Sequence, residues 1–347
     1  MDFSHLEPLV SAAAVGSWLD ALRRPVAVTG GTGFVGSHLV ETLCSAGVET
    51  RVLVRYPKSP RWISEAPVHW VEGSLEDSEA LARLVADSGT VLHLAGVVRA
   101  HSAAEFNAGN QRGTANLARA VRETAPSARV VHVSSLAAAG PSANPDGVAV
   151  DVEPAPISDY GRSKLAAERE IRGLGNDVWW SIVRPPAIYG PRDTDVFEFF
   201  RMASRGLVAL PAGERWVTVA WVGDVVRSIL AAAVTAPPHG VFHLGEPKPM
   251  LLGRLVAVLA EQGGVKARVV RVPQALVTSV GAAGSLFHLL TRRRSALTLD
   301  KTRELLARHW TAQTSDSLSR LGLSAGIPFA DGVKLTWEWY RDRGWIQ

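Results

Sequence analysis

Val26-Ala27-Val28-Thr29-Gly30-Gly31-Thr32-Gly33-Phe34-Val35-Gly36 reads as an apolar strand, a glycine turn and the start of a helix. Gly30, Gly33 and Gly36 stand three apart. Gly30 permits the tight turn, Gly33 lets backbone amides approach an anion, and Gly36 lets the helix pack closely on the strand. Thr32, Phe34 and Val35 complete the turn and the first helical residues, whose positive end faces the same point. Such a strand, turn and helix make a site for a dinucleotide pyrophosphate. The amphipathic run His38 to Ala46 (HLVETLCSA) supplies the helix that the motif requires.

Outward from this turn, β-rich apolar runs alternate with helical patterns at the interval of βαβ units. The strand candidates are Val26–Thr29, Thr50–Val54, His69–Glu72, Thr90–Leu94, Arg129–Ser134, Val178–Val183 and Gly240–Leu244. Two helical stretches fall between the fourth and fifth, one near Ala103–Glu123 with Asn110, Gly113, Thr114 and Asn116. Repeated parallel crossovers predict an α/β fold, a doubly wound parallel Rossmann sheet with ligands at the carboxyl ends of its strands. After Arg184 the pattern loosens, as expected of a smaller C-terminal substrate lobe. The expected division is a helical extension over 1–24, a dinucleotide-binding domain over 25–183, and a mainly substrate-binding lobe over 184–347. That lobe returns about 220–245 to the sheet.

The composition fits this reading. Of 347 residues 47% are hydrophobic and 20% charged, which marks a globular chain. A net charge of +4 with scattered basic residues gives no electrostatic footprint for nucleic acid. The single cysteine, Cys44, lies in a helix pattern and reads as a small buried residue, consistent with a reducing, cytoplasmic compartment. Asp2 and Glu7 do not suit the basic start of a secretory signal. Ten histidines are dispersed without ligand spacing, so no metal is expected; His93 and His132 read as hydrogen-bonded core groups.

Val272 to Thr291 (VPQALVTSVGAAGSLFHLLT) carries no charge and runs into Arg292, Arg293 and Arg294. Pro273, Gln274, two glycines and several hydroxyls make it marginal for a bilayer span. A buried or lid helix, a membrane-surface helix over 272–294 with an arginine flank, and a true span all remain open.

About twenty residues beyond the glycines, where a carboxylate would take the ribose hydroxyls of NAD, the chain has Arg55, with Lys58 close behind. A guanidinium there pairs with a 2′-phosphate that a carboxylate would repel, which predicts NADP over NAD. Further on, Tyr160 and Lys164 in Ser158-Asp159-Tyr160-Gly161-Arg162-Ser163-Lys164 stand four apart at a helix start, on one face. A neighbouring ammonium is expected to favour the phenolate and bring a poor acid/base into useful range. The strand Val130-Val131-His132-Val133 ends in Ser134 and Ser135 at the face where a cofactor would lie, so a serine hydroxyl is placed to bind a substrate oxygen.

With these features in this order, the chain resembles the extended short-chain dehydrogenase/reductase superfamily, the NAD-dependent epimerase/dehydratase family, from about Pro25 onward. The resemblance rests on TGGTGFVG at Thr29, HLAG at His93, NQRGTANL at Asn110, VSSLAAAG at Val133, YGRSK at Tyr160 and RPPAIYGPRD at Arg184. It implies Tyr160 as general acid/base, Lys164 as its partner and ribose ligand, and Ser135 as the orienting hydroxyl. Ser135 is chosen over Ser134 by register with Gly140. It further implies cofactor contacts at Leu94, Ala95 and Gly96, and at the backbone from Pro185 to Ile188.

Two departures stand out. Gly73-Ser74-Leu75 replaces a Gly-Asp-Leu whose Asp lies near adenine, leaving Ser74 and Leu75 there. Ala138-Ala139-Gly140 replaces Val-Tyr-Gly, removing a ring beside the nicotinamide.

The look is closest to the 3β-hydroxysteroid dehydrogenase, sterol dehydrogenase and dihydroflavonol reductase branch. An oxidoreductase acting on a secondary alcohol or ketone of a hydrophobic substrate is therefore expected, with Phe197, Phe199, Phe200, Leu207, Val208, Leu210, Trp216 and Trp221 as candidate lining. A nucleotide-sugar epimerase or dehydratase served by Arg201, Arg205 and Arg215 stays open, as do a non-catalytic NAD(P)-binding sensor and a homodimer.

Overall fold

The computed structural model describes residues 12–56, 61–291, 298–324 and 326–346. Six strands come first: β1 (Val26–Thr29), β2 (Thr50–Val54), β3 (His69–Glu72), β4 (Thr90–His93), β5 (Arg129–Val133) and β6 (Trp180–Arg184). Short strands β7 (Ala187–Tyr189), β8 (Leu207–Pro211), β9 (Trp216–Val217) and β10 (Val219–Trp221) follow, then β11 (Gly240–His243), β12 (Met250–Leu251), β13 (Arg268–Val272) and β14 (His309–Trp310). The main sheet has the order β11-β6-β5-β4-β1-β2-β3, and every neighbouring pair in it is parallel. The chain winds outward in both directions from β1 and β4. A crevice opens where the strand order reverses, at the carboxyl ends of that pair.

Helices cover both faces. The first seven are α1 (Ala12–Ala21), α2 (Phe34–Ser45), α3 (Ser78–Val85), α4 (Ala103–Asn107), α5 (Gly113–Thr124), α6 (Leu136–Ala139) and α7 (Asp159–Arg172). In β1, Val26 and Val28 pack with Leu39 and Leu43 of α2, whereas Ala27 packs on the opposite face with Leu81 of α3, Leu117 of α5 and Ile171 of α7. This is the two-residue alternation of a strand buried on both sides, and it explains why β1 is apolar throughout. α1 joins the first face through Val15 and Leu19.

Beyond β6 come α8 (Phe197–Ser204), α9 (Val222–Val234), α10 (Leu252–Gln262), α11 (Gln274–Thr291), α12 (Leu299–Leu306), α13 (Ser315–Arg320) and α14 (Phe329–Asp342). α9 returns to the main sheet with β11, while α8, α10 and α14 enclose a separate core. Phe200 meets Trp337 at 5.3 Å and Tyr340 at 5.2 Å between ring centres, and Phe197 meets Tyr340 at 4.8 Å. The expected lining is corrected here. Phe200, Val208, Leu210 and Trp221 are buried in this core and Leu207 is exposed; apolar composition alone does not distinguish a lobe's own core from a pocket wall.

Over its described side chains α11 is not a core helix. It packs on α12 at Gly281, which faces Thr302, while Leu276 and Val280 are 55% and 51% exposed. Among the described residues no helix is long and apolar enough to cross a membrane, and Arg292 to Arg294 lie outside them.

Candidate active site

The turn after β1 is shaped by two close approaches. Gly30 has φ +74°, and a Cβ on it would lie 2.6 Å from Ala95 N and 2.7 Å from the carbonyl carbon of Leu94. The end of β4 is tied to the same place, for Leu94 N donates to Thr29 O at 3.1 Å and Ala95 N to Thr29 Oγ1 at 3.2 Å. A Cβ on Gly36 would overlap the Gly30 carbonyl oxygen and lie 2.9 Å from Gly31 Cα, so α2 abuts the turn directly.

Gly33 differs from both. Its backbone is extended (φ −80°, ψ −178°), and the nearest atom to a Cβ would be Gly30 O at 3.2 Å. The protein itself leaves room there. Gly33 also caps α2 without offering a side-chain acceptor, so the first amides of the helix remain available to an anion. Thr32, Gly33, Phe34 and Val35 are partly exposed, whereas Gly31 and Gly36 are buried. A pyrophosphate fits this cradle.

Arg55 directly follows β2 and is exposed, and among the described residues it pairs with no carboxylate. Lys58 lies outside the described residues. After β3, Ser74 Oγ accepts from Glu76 N at 3.2 Å. Leu75 packs over Gly113, and its carbonyl accepts from Asn116 Nδ2 at 2.9 Å. Gly96 sits beside Asn110 Oδ1 and Lys164 Nζ, which a Cβ on it would approach to 2.9 and 3.7 Å. Pro185 O accepts from Leu136 N at 2.8 Å, and Ile188 lies in β7, paired with Ala220 of β10.

The two serines after β5 have separate partners. Ser134 Oγ donates to Glu168 Oε1 at 2.6 Å, in a buried network where Arg184 reaches the same carboxylate at 2.8 and 2.7 Å. Ser135 caps α6, accepting from Ala137 N at 3.2 Å, and its hydroxyl lies near enough to the Tyr160 phenol to favour the ionised form. Tyr160 is the second residue of α7, with Phe106 at 5.8 Å between ring centres. Lys164, one turn later, is buried and donates to Val133 O at 2.7 Å. Ser135, Tyr160 and Lys164 thus meet at the carboxyl end of β5, alongside β4 and its glycine-turn neighbour.

The electrostatics depart from the expected activation. Burial pushes the Tyr160 phenol up to about 12; the nearby Ser135 hydroxyl pulls it down and the Glu304 carboxylate raises it further. Burial draws the Lys164 amine down to about 8, against the opposing pull of Glu168. Desolvation therefore outweighs the favourable partners, and without a bound ligand the phenol holds its proton firmly. That protonation state suits an acid that donates to a carbonyl oxygen.

Beneath the site the His93 and His132 rings lie 5.0 Å apart, tilted by 34°, both kept neutral chiefly by burial. His93 is bound by Thr29 Oγ1 at 2.6 Å and Thr114 Oγ1 at 2.9 Å. Among the described residues His132 has no partner on either ring nitrogen, contrary to expectation, because its neighbours across β4 and β6 are His93 and the apolar Ile182.

Sequence reasoning missed the part played by Asn110. Residues 108–112 form a π-turn between α4 and α5, and from it Asn110 accepts from Val97 N at 2.7 Å and donates to Val97 O at 3.0 Å and Ser163 Oγ at 2.8 Å. It ties the loop after β4 to α7. The available signal was a buried-side Asn between Gly109 and Gly113 inside a helical pattern, where neither residue type favours a helix.

Residues 26–245 match the model of the NAD dependent epimerase/dehydratase family. The chain is 35% identical over 329 residues to the ceramide reductase of Caulobacter vibrioides (strain NA1000 / CB15N), covering 93% of this chain and 96% of that one. It is 27% identical to the 4-hydroxy-2-methyl-3-oxo-4-farnesyl-3,4-dihydroquinoline-1-oxide ketoreductase of Stigmatella aurantiaca, covering 88% and 93%. MoeE5 in complex with UDP-glucuronic acid and NAD superimposes with a TM-score of 0.73 at 25% identity, over 92% of this chain and 100% of that chain.

Proposed function

The chain belongs to the NAD-dependent epimerase/dehydratase family, and from that premise we propose that it is an NADP-dependent ketoreductase acting on a hydrophobic, lipid-like ketone. The observation that carries the reading is the convergence of the Ser135 hydroxyl and the Tyr160 phenol, one helical turn from the buried Lys164 and beside the open glycine turn. When bound, the nicotinamide supplies hydride to the carbonyl carbon. Ser135 orients the carbonyl oxygen, and Tyr160, protonated at neutral pH, gives it a proton. Lys164 has two donors besides the one on Val133 O, enough to hold the cofactor ribose.

Arg55, exposed and without a carboxylate partner among the described residues, supports NADP over NAD. For the substrate, both reductase relatives carry lipid-like or prenylated names. Two of the three arginines left open for a sugar diphosphate are engaged elsewhere: Arg201 with Glu198, and Arg215 with the carbonyls of Pro211, Ala212 and Gly213.

A membrane-surface role completes the proposal. Leu207, Val270, Leu276 and Val280 are 53, 44, 55 and 51% exposed on β8, β13 and α11. From 262 to 299 the sequence has no Asp or Glu and carries Lys266, Arg268, Arg271 and Arg292 to Arg294, a balance suited to anionic lipid.

NADPH oxidation against ketosteroids, long-chain ketones and nucleotide sugars tests the reaction. Turnover of an apolar ketone by the wild type, lost in Tyr160→Phe with NADPH binding intact, is the expected result; wild-type turnover in Tyr160→Phe overturns it. MoeE5, found with a nucleotide sugar, motivates the second reading, epimerisation. A retained dinucleotide with no net NADPH consumption would favour that one. Sedimentation with phosphatidylglycerol vesicles, reduced in Leu276→Glu/Val280→Glu, is the result expected of the membrane face.

A further inference from the structure

We propose that Asp300 and Glu304 of α12 are positioning residues for Tyr160, gripping the amino end of the catalytic helix from an element of the substrate lobe. The proposal rests on the reductase reading for its kinetic test. The first amides of any helix lack intrahelical acceptors. In α7 the chain's own cap serves only part of them: Gly161 N donates to Ser158 Oγ at 2.9 Å and Arg162 N to Ser158 O at 2.9 Å. The two amides before these go to Asp300, from Asp159 N to Oδ1 at 2.7 Å and from Tyr160 N to Oδ2 at 3.4 Å. Ser158 is itself held, for its hydroxyl donates to Glu304 Oε1 at 2.6 Å. The amides of the opening turn therefore rest on α12, directly or through Ser158.

The arrangement reaches across 140 residues of sequence to the backbone of the residue that carries the acid. Positions 300 and 304 lie one turn apart and share a face. Thr298 fixes the start of α12 by accepting from Lys301 N at 3.3 Å. Two carboxylates at a helix amino end complement its dipole. They also crowd each other: burial and the charges of Asp159 and Glu304 push the Asp300 carboxyl up, although it accepts two amides. Ser158 alone would suffice as a cap. What the carboxylates add is a fixed place for Tyr160 against Ser135, and in Glu304 a charge that keeps the phenol protonated. The charged groups around this end are Asp159 with Arg162 at 2.6 Å, Asp300 with Arg303 at 4.0 Å, and Glu304 with Lys301 at 3.0 Å, besides Lys164 one turn along.

The test uses the full-length enzyme with NADPH and a ketone that it reduces. Asp300→Ala should lower kcat about tenfold or more with the NADPH Kd within about twofold, and Asp300→Glu should recover part of the loss. Glu304→Gln should move the alkaline limb of the kcat profile to lower pH, as removal of a nearby like charge requires. A purely architectural role would lower Tm without moving that limb. Unchanged kcat in Asp300→Ala together with an unmoved limb in Glu304→Gln overturns the proposal. If Asp300→Ala does not fold, the isosteric Asp300→Asn takes its place under the same criteria. If the wild type reduces no ketone, the reductase reading fails by itself. The positioning pair is then decided by ultraviolet difference titration of the phenol, each protein measured against its Tyr160→Phe counterpart: a lower midpoint in Glu304→Gln supports it, and equal midpoints overturn it.

Discussion

Alanine at Gly33 and at Gly36 should separate two roles that one glycine pattern conflates. At Gly36 the new methyl would overlap the Gly30 carbonyl oxygen and stand 2.8 Å from its carbon and 2.9 Å from Gly31 Cα. All three are backbone atoms, so relief requires α2 to withdraw by roughly 1 Å to reach ordinary contact. Overpacking of this kind costs about 1–3 kcal/mol, more than the ~1 kcal/mol that alanine gains in helix propensity. The helix that should face the phosphates moves with it. At Gly33 the methyl meets only Gly30 O at 3.2 Å, on a backbone that alanine adopts freely. Replacing glycine as the cap costs some tenths of a kcal/mol to about 1, offset by about 0.4–1 kcal/mol from a less flexible unfolded chain. Stability should hardly change. The methyl instead occupies the space above the open amides, and NADPH affinity should fall about tenfold or more. Thermal unfolding and NADPH fluorescence titration of both variants form the assay. If Gly33→Ala bound NADPH within twofold of wild type, the pyrophosphate would not cross that residue, and the placement of the cofactor would be wrong.

Three further outcomes are expected. Arg55→Asp should reverse the preference between NADPH and NADH; equal preference in wild type and variant would refute the 2′-phosphate assignment. Glu168→Gln removes the only carboxylate among the described residues that touches the buried Arg184, and should cost about 3–5 kcal/mol in chemical denaturation. A change below about 1 kcal/mol would show that the pair is dispensable. The Lys164 amine sits near 8 when folded against an ordinary 10.5, so between those values the unfolded state holds more protons and stability rises with pH. Relative to Lys164→Met, the cofactor-free wild type should gain stability from pH 8 to 10, and a flat difference would contradict the burial of that amine.

The sheet was legible because most of its strands are covered on both faces, the edge strand β3 excepted. Such strands are rich in apolar residues, and all seven candidates, from Val26–Thr29 to Gly240–Leu244, lie in the seven-stranded sheet to within two residues. Tyr160, Lys164 and Ser135 were legible because helical spacing and a strand end place side chains locally. What escaped were ties between distant segments. Nothing near Asp300 signals that its carboxylate ends on the amide of Tyr160, and nothing near Asn110 shows its bond to Ser163. The aromatic residues of the second lobe failed for another reason: Phe200 and Trp221 have the composition of a pocket wall, and only packing against Trp337 and Tyr340 makes them core. The phenol was misjudged in sign because an ammonium four residues away was counted without the burial that desolvates both groups.

These ties give the proposed active site an uneven foundation. Lys164 and Ser134 rest on β5, on Glu168 and on Arg184, all within the sheet domain. Tyr160 rests partly on α12, which follows α11 in the second lobe and packs against it. The ammonium is thus fixed by the domain that carries the glycine turn, and the phenol by an element of the lobe assigned to substrate. A disturbance of α11 or α12 therefore acts on the acid while leaving the dinucleotide cradle in place. Substitutions there should alter kcat and its pH dependence more than NADPH affinity, the reverse of the pattern expected at Gly33.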